Sequence, residues 1–183
     1  MKSLTVAVAI ALAGTSAFAQ SKLDSNSWYA ELGYNSAQYN IDTLSGLSNA
    51  NNLLIGVGKN MSENYALEGV YVTGMNDSTT TSPGTTVNVK LAGSYGLYVK
   101  PKFKINDQVE LFGRVGYFSS KSSTKVPSFP AFDVDNSGTS PSWGLGIKVK
   151  ITSNIYSSLD WMQMYKKEGA DIKGFGLSVG YNF

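Results

Sequence analysis

The chain has 183 residues, which suits a single domain, and its charge is nearly balanced, with 15 Lys and Arg against 13 Asp and Glu. Such a balance lacks the basic excess that nucleic-acid binding requires, and the absence of histidine removes the commonest general base and metal ligand. The chain also has no cysteine, so disulfides do not stabilise it. Charged residues make up only 15% of the chain, against roughly 25% in soluble domains, which indicates a surface that partly faces something other than water.

The first residues have the features of a secretory signal peptide. Lys2 is followed by an apolar run over residues 4–13, and the small-residue pattern Ala17-Phe18-Ala19 comes next. The run is too short for a transmembrane helix, which needs about 20 apolar residues. We therefore predict a cleaved signal at residues 1–19 and one mature domain at residues 20–183.

Alternation of apolar and polar residues predicts eight β-strands in the mature domain. The phase of each strand follows from the premise that charged side chains cannot face lipid and must point inward. The predicted strands lie at about residues 27–36, 52–60, 64–75, 86–104 and 108–120, then from Trp143 to Ile151, from Ile155 to Met162 and from Phe175 to Phe183.

The fourth strand shows the alternation most clearly. Its predicted outward residues are Val87, Val89, Leu91, Tyr95, Leu97 and Val99. Its predicted inward residues are Asn88, Lys90, Ala92, Ser94, Gly96 and Lys100. Over all the strands, the inward class is predicted to consist mainly of glycine, serine and charged residues.

The predicted connections alternate in length, as they do in outer-membrane barrels. Short turns follow strands two, four and six. Longer loops follow the others, including residues 76–86, about 121–140 and 166–171. Outward aromatic residues are predicted to form a ring at each end. The ring at the short turns contains Trp28, Tyr65, Phe103 and Phe183, and the other contains Tyr71, Tyr117, Trp143, Tyr165 and Phe175.

Two soluble barrels share the same alternation and compete with this interpretation. A lipocalin-like barrel would turn the apolar face inward around a small ligand, and a second form would carry the charges outside. The aromatic rings, the secretory signal and the C-terminal phenylalanine favour a membrane barrel.

The last strand carries apolar residues at every second position up to the terminus. This pattern resembles the C-terminal signal of outer-membrane barrels, which the barrel-assembly machinery recognises. The residues predicted to form this assembly signal are Phe175, Leu177, Val179, Tyr181 and Phe183.

Three stretches of the sequence resemble the OmpA-like transmembrane barrel family. They are WYAELGY at residues 28–34, YALEGVY at residues 65–71 and KPKFKINDQVELFGRVGY at residues 100–117. The resemblance implies an all-β fold: an eight-stranded antiparallel up-and-down barrel in the outer membrane, with ion pairs and water inside. The periplasmic peptidoglycan-binding domain of longer family members has no counterpart in this sequence.

The same resemblance implies that Glu68 and Lys100 match two charges of the family's interior gate. The other two positions depart from the family pattern, since Lys148 stands where an acid is expected and Ser158 where a base is expected. Pro101 is a further departure, because proline lacks a ladder donor and is expected to end the strand early or to lie at a bulge. The predicted interior charge network consists of Glu31, Glu68, Lys100, Arg114, Lys148 and Asp160.

Other chemistry has weak support in the sequence. Paired carboxylates such as Glu31 and Glu68 could in principle act as acid and base, but beside Lys100 and Arg114 they favour structural ion pairs, and we expect no enzyme.

Residues 133–138 resemble the start of a calcium loop, yet Gly144 stands where the loop needs a bidentate Glu. A polar turn is therefore favoured, and no metal or cofactor is predicted. Aromatic residues among 127–132 are expected to pack on the rim.

The sequence therefore predicts an integral outer-membrane barrel with a structural role in membrane integrity or in presenting its outer loops. Two alternatives remain: a narrow porin-like channel or small-molecule binder, and an adhesin acting through the loops. The expected partners are outer-membrane lipid and lipopolysaccharide, the barrel-assembly machinery during insertion, and an extracellular ligand of the loops. Nucleic acid is not expected as a partner.

Overall fold

The computed structural model of the chain describes residues 27–41, 49–82, 85–127 and 134–183, so the predicted signal at residues 1–19 lies outside the described residues. None of the described ranges contains a helix long and apolar enough to cross a membrane. The described strands are β1 (Trp28–Ile41), β2 (Ala50–Asn60), β3 (Tyr65–Gly74), β4 (Ser78–Ser82), β5 (Thr85–Leu91), β6 (Ser94–Lys104), β7 (Val109–Lys125), β8 (Val134–Lys150), β9 (Ile155–Lys167) and β10 (Ala170–Asn182).

Eight of these strands close into an antiparallel barrel, which confirms the predicted fold. Their order around the wall is β1-β2-β3-β6-β7-β8-β9-β10. The wall closes where β10 pairs with β1, from Tyr29↔Asn182 to Ile41↔Ala170. Each barrel strand therefore has a neighbour on both sides, and the backbone donors and acceptors of the wall are paired within it, as a lipid environment requires.

The two faces of the wall differ sharply in polarity. Large apolar side chains face outward, such as Leu97 at 71% exposure and Phe175 at 64%, while Glu31 and Arg114 face inward at 2% and 0%. A soluble barrel would not leave so large an apolar area in water, and a lipocalin-like barrel would not bury the charges. The outward face is therefore a lipid-facing surface, and both soluble alternatives are wrong.

The predicted fourth strand is in fact two strands, β5 and β6, and its predicted phase is wrong in the first half. Leu91 pairs with Ser122 on β7, and Tyr95 pairs with Ser119. The chain therefore advances four residues between these two pairs while β7 advances three. Gly93, within the longer stretch, has a φ of 73°. This extra residue forms a β-bulge, which reverses the alternation. Val89 and Leu91, which were predicted to face outward, are consequently buried inside, whereas Tyr95 remains exposed.

A second irregularity moves Tyr165 out of the predicted aromatic ring. The β9–β10 register shifts between Ile172 and Lys173, which pair with Tyr165 and Gln163 and leave Met164 as the extra residue. Both Met164 and Tyr165 are buried as a result. The other predicted ring residues are exposed: Tyr71, Tyr117, Trp143 and Phe175 at one end, and Trp28, Tyr65, Phe103 and Phe183 at the other.

The connections at one end of the barrel are short, as predicted, and we call this the short-turn end. They cover residues 61–64, 105–108 and 151–154. At the opposite, long-strand end, the predicted loop at residues 166–171 is wrong, because β9 and β10 are joined by Glu168-Gly169 alone. Both residues have positive φ, 53° and 76°, which is the requirement of a type I′ hairpin turn.

Two other predicted loops at the long-strand end are largely strand. The β7–β8 ladder continues to Thr124↔Val134, so most of residues 121–140 belong to this ladder. The predicted loop at residues 76–86 contains β4 and the start of β5, which pair with each other, and β5 also pairs with β7 from Leu91↔Ser122 to Asn88↔Lys125. Beyond the barrel wall the chain thus builds an additional small sheet of β4, β5, β7 and β8.

Pro101 neither ends its strand nor lies at a bulge, so that prediction is also wrong. β6 continues to Lys104, and the pairs Val99↔Val115 and Lys102↔Phe112 share one register. Pro101 also pairs with Tyr65 on β3. The ladder between β6 and β7 lacks only the pairs at Lys100 and Pro101, where the proline donor is missing.

Candidate functional site: a charge cluster inside the barrel

The barrel interior contains an equal number of buried acids and bases among the described residues. The acids are Glu31, Glu68, Glu110 and Asp160, and the bases are Lys100, Lys102, Arg114 and Lys148. Each is at most 6% exposed, so each needs a partner of opposite charge or strong hydrogen bonds. The numerical balance allows the interior to be neutral as a whole.

Five of these side chains form one connected group, which we call the charge cluster. It contains Glu31 from β1, Glu68 from β3, Lys100 from β6, Arg114 from β7 and Asp160 from β9. Each residue occupies an inward position of its own strand, and closure of the wall brings the five strands around one lumen. The sequence prediction placed all five inside, and the structure brings them into contact.

Arg114 is the centre of the charge cluster and is fully buried. Its Nε donates to Glu68 Oε1 at 2.5 Å and its Nη2 donates to Glu31 Oε2 at 2.8 Å. Its Nη1 donates to Asp160 Oδ2. A planar guanidinium can hold carboxylates in several directions at once, which a lysine ammonium at this position could not do with the same geometry. Arg114 thereby ties three other strands to β7.

Lys100 bridges two of the same carboxylates. Its Nζ lies 2.7 Å from Glu68 Oε2 and 2.8 Å from Glu31 Oε1. The ammonium also lies 4.5 Å from the centre of the Phe112 ring and 4.9 Å from that of Tyr29, within the range of cation–π attraction. Lys100 and Arg114 are thus close to each other, and the two carboxylates between them offset their mutual repulsion.

Two tyrosines complete the hydrogen bonding of the carboxylates. Tyr29 donates its hydroxyl to Glu68 Oε2 at 2.7 Å, and Tyr156 donates to Glu31 Oε1 at 2.8 Å. Every oxygen of Glu31 and Glu68 therefore binds a cation, and one oxygen of each also accepts a phenol. Such saturation is typical of a structural ion network, and it leaves neither carboxylate free to act as an acid or base on a substrate.

Lys148, which the sequence prediction grouped with the charge cluster, forms a separate pair. Its Nζ lies 2.5 Å from Glu110 Oε1, its direct cross-strand partner on β7, and 5.0 Å from the centre of the Tyr156 ring. Lys102 is also inside, where it donates to Asn60 Oδ1 at 2.6 Å. The alternation that places Arg114 inside also places Glu110 inside, but the sequence alone does not give the β7–β8 register that puts Glu110 opposite Lys148.

Apolar side chains fill the other half of the lumen, toward the long-strand end, and we call them the apolar layer. Sequence reasoning missed this layer, because it predicted an interior of glycine, serine and charge. Its buried members are Ala37, Tyr39, Ala50, Leu54, Val70, Val72, Val89, Leu91, Tyr98, Phe118, Met162, Met164, Tyr165 and Ile172. Several of them reach the lumen because of the two bulges described above.

A cavity of about 250 Å³ lies beyond the apolar layer at the long-strand end. Hydroxyl and amide groups line it together with tyrosine and aliphatic side chains. Its lining includes Tyr39, Val89, Ser120, Ser122, Asn136 and Tyr165.

Among the described residues, no group of three or more acidic, histidine or cysteine side chains could hold a metal ion. The segment that resembled a calcium loop is strand from residue 134 onward, with Asp135 opposite Ser123 and Asn136 opposite Ser122. Its first residue, Asp133, and the aromatic residues at 129 and 132 lie outside the described residues. A paired strand cannot wrap around a cation as a calcium loop does.

The predicted assembly signal forms part of the outward face of β10. Phe175, Val179, Tyr181 and Phe183 are exposed, and Leu177 is half-buried. Phe183 also closes the wall, since its backbone N–H donates to Trp28 O at 2.9 Å and its carbonyl accepts from Trp28 N at 3.0 Å. The rings of Tyr181 and Phe183 stack with centroids 6.5 Å apart.

A closed eight-stranded wall with an apolar exterior, two aromatic rings and a charged interior defines the class of outer-membrane β-barrels. The family described as the outer membrane protein beta-barrel domain matches residues 5–183. The chain therefore belongs to that family, as the resemblance in its sequence predicted. No curated protein sequence matches the chain significantly.

Solved structures of outer-membrane barrels have the same fold. The attachment invasion locus protein Ail of Yersinia pestis has a TM-score of 0.65 at 16% identity, over 87% of this chain and 100% of that protein. Neisserial surface protein A has a TM-score of 0.65 at 12% identity, over 85% and 97% of the two chains. The N-terminal barrel domain of Pseudomonas aeruginosa OprF has a TM-score of 0.62 at 16% identity, over 87% and 98%. Identities this low establish a shared fold only.

Proposed function

We propose that this protein is a non-conducting, non-enzymatic barrel that stabilises the outer membrane and presents its long-strand end to the exterior. The filled lumen is the observation that carries this proposal. Arg114 in the charge cluster and Phe118 in the apolar layer are both fully buried, so two successive layers of side chains occupy the interior. An eight-stranded barrel has just enough interior space for such side chains and none left for a broad pore.

Conductance in planar lipid bilayers distinguishes this proposal from the narrow-channel alternative. Folded protein, recognised by its faster gel migration before boiling, should produce no single-channel steps. A boiled sample is the matched control for detergent artefacts. Reproducible steps from the folded sample, absent from the boiled one, would overturn the proposal and favour the channel.

A cellular experiment tests the role in membrane integrity. Cells without the protein should become more sensitive to detergent and should leak periplasmic proteins. The wild-type gene should restore resistance, whereas a gene for the Arg114→Met variant should restore it poorly because that barrel lacks the centre of its charge cluster. Unchanged sensitivity in the deletion strain would count against an integrity role.

We infer export from the predicted signal peptide and orientation from the short turns of the barrel. The signal at residues 1–19 would direct export and be cleaved after Ala19, leaving residues 20–183 as the barrel. Short turns face the periplasm in outer-membrane barrels, so the long-strand end would face outward, amid lipopolysaccharide. Mass spectrometry of the purified protein tests the cleavage site directly, since an N-terminus other than Gln20 would contradict it.

The terminal phenylalanine would act as part of the signal for the barrel-assembly machinery. Deleting Phe183 should reduce insertion in cells more than it reduces refolding into detergent, because only insertion in cells depends on recognition. Phe103→Ala is a suitable control, since Phe103 is 67% exposed at the same end but does not lie at the terminus. Equal losses in both settings would mean that Phe183 contributes ordinary stability alone.

A second candidate function is the binding of an anionic extracellular ligand at the long-strand end. Four lysines are exposed there: Lys121 and Lys125 on β7, and Lys166 and Lys167 on β9. A structure of Ail contains the heparin analogue sucrose octasulfate, so one barrel of this fold does bind a polysulfated compound. Exposed lysines at one end of a barrel can attract such polyanions through charge, with little demand on precise geometry.

Sucrose octasulfate is therefore a suitable probe for this candidate. The double variant Lys121→Gln with Lys125→Gln should weaken binding severalfold at low salt, and raising the salt should weaken wild-type binding in the same way. Lys104→Gln, at the opposite end of the barrel, should have no effect. Substitution is a cleaner test than deletion of residues 121–140, because most of that segment is paired strand.

A further inference from the structure

A chain of polar side chains crosses the apolar layer along one wall of the barrel. Tyr39, which lines the outer cavity, donates its hydroxyl to Asn52 Oδ1 at 3.2 Å. Asn52 Nδ2 in turn donates to Asn35 Oδ1 at 3.4 Å. All three side chains are at most 3% exposed. Burying amides inside an apolar layer is costly unless each donor and acceptor has a partner.

The polar chain stops at two atoms that lack partners. Among the described residues, neither Asn35 Nδ2 nor Asp160 Oδ1 has a hydrogen-bond partner, although both are buried. Asp160 belongs to the charge cluster, where its other oxygen binds Arg114. An amide donor and a carboxylate acceptor thus stand at the end of the polar chain and at the edge of the charge cluster.

Gly176 on β10 lies between these two atoms. It is the register partner of Asn35 on β1 and of Asp160 on β9, so the three residues form a row across adjacent strands. The point where a Cβ on residue 176 would stand is 3.7 Å from Asn35 Nδ2 and 2.5 Å from Asp160 Oδ1. The two distances place Asn35 Nδ2 no more than about 6 Å from Asp160 Oδ1, a separation that one water molecule can bridge.

We propose that an ordered water molecule binds above Gly176 and bridges Asn35 Nδ2 to Asp160 Oδ1. Water can accept from the amide and donate to the carboxylate, so it satisfies both atoms at once. A cation would meet the amide N–H groups, and an anion would meet the carboxylate, so neither fits this pair as well. The Tyr39 hydroxyl, by donating to Asn52, sets the orientation of both amides and directs Asn35 Nδ2 toward Asp160.

The bridging water makes the polar chain continuous from the outer cavity to Arg114. It links the charge cluster to the long-strand end through Tyr39, Asn52, Asn35 and one water molecule. Each step of this path is a single hydrogen bond between buried groups, so it offers no pore for hydrated ions.

Gly176→Ala is the first test, because its methyl group would take the space beside Asp160 Oδ1 and leave no room for a bridging water. We expect the variant to raise the equilibrium constant of unfolding about tenfold or more, since Asn35 Nδ2 and Asp160 Oδ1 would stay buried without a partner. Gly33→Ala is the matched control. Gly33 also faces inward, and a Cβ there would likewise crowd a side-chain oxygen, that of Ser178, but it would meet neither unpartnered atom. Equal effects of the two substitutions would overturn the proposal.

The wild-type protein gives an independent test. A high-resolution crystal structure should show one water within hydrogen-bond distance of both atoms, and the Asn35 side-chain amide should show a water cross-peak by NMR in detergent. A direct hydrogen bond between Asn35 and Asp160, or an empty site, would overturn the proposal. This measurement also decides the matter if Gly176→Ala does not fold.

Discussion

The charge cluster and the apolar layer fill neighbouring halves of one lumen by different physical means. Arg114 and Phe118 lie four positions apart on β7, and both are completely buried. Arg114 is stable there only because carboxylates on three other strands meet its guanidinium in fixed directions. Phe118 needs only apolar neighbours and close packing. The charge cluster therefore specifies which strands face one another. The apolar layer excludes water, and its contacts do not depend on direction.

This difference governs how each region fails. Removing one partner of a buried ion pair leaves the other charge buried without compensation, which costs more than the net value of the pair. Removing apolar atoms leaves a cavity whose cost depends on how far the surroundings can relax. Damage to the charge cluster should therefore affect several strands at once, whereas damage to the apolar layer should stay local.

The largest expected effect is that of Arg114→Met, which leaves three carboxylates beside a single lysine. We expect a loss of about 3–5 kcal/mol in the free energy of unfolding, the range for breaking a buried pair. Urea unfolding of protein refolded into detergent or lipid, followed by gel mobility, measures this loss. Lys104→Met is the control, because Lys104 pairs with Glu63 at 3.7 Å on the surface and should lose less than about 1 kcal/mol. Equal losses would show that the charge cluster is no more important than a surface pair.

Glu68→Ala should have the next largest effect, because it leaves Lys100 and Arg114 sharing Glu31. We expect a loss of about 2–4 kcal/mol, or else entry of water and a rise in conductance. The double variant Glu68→Ala with Lys100→Met should recover part of the loss, since it removes one uncompensated cation. A double-mutant cycle measures the coupling between the two residues, and zero coupling would contradict the 2.7 Å contact between them.

Leu91→Ala probes the apolar layer and the bulge that directs Leu91 inward. Its expected loss is about 2 kcal/mol, at the low end of the range for a buried leucine. Leu97→Ala is the control, since Leu97 is 71% exposed on the lipid-facing side of the adjoining strand. If Leu97→Ala cost more in detergent than Leu91→Ala, the reversal of phase between β5 and β6 would be in error.

Gly93→Ala should have the smallest effect of the series. Its φ of 73° strains any residue with a Cβ, and that Cβ would also lie 2.9 Å from the Tyr71 hydroxyl oxygen. We expect a loss of about 1 kcal/mol. Gly93→Asn should cost less, because asparagine tolerates positive φ better than alanine does. Equal stability of the alanine and asparagine variants would show that strain at the bulge is negligible.

The sequence was sufficient for the barrel and for most inward positions, because alternation depends only on the local strand. Once Glu68 or Arg114 is placed inside, alternation assigns every other residue of the same strand to the inward or the outward face, as long as the strand is uninterrupted. It failed for Leu91 and Tyr165, since one extra residue at a bulge reverses every position beyond it. Gly93 offered a visible clue, as an isolated glycine within a strand often marks a bulge.

The sequence predicted which residues belong to the site better than it predicted the contacts between them. Lys100 and Arg114 could be placed inside from their own strands, and Glu68 was the expected partner. The binding of Asp160 to Arg114 depends on the curvature of the closed wall, which alternation does not encode. The pairing of Lys148 with Glu110 depends on the β7–β8 register, which the alternation within either strand does not determine.

The pairing of Trp28 with Phe183 has a consequence for the order in which the barrel assembles. These residues are about 150 positions apart, so pairing them before any other strands had formed would cost roughly 4 kcal/mol of chain entropy by the logarithmic loop-length relation. The β9–β10 hairpin, joined by Glu168-Gly169 alone, closes at almost no such cost. The C-terminal hairpin is therefore favoured as an early nucleus, and the β1–β10 seam, from Tyr29↔Asn182 to Ile41↔Ala170, is expected to form last.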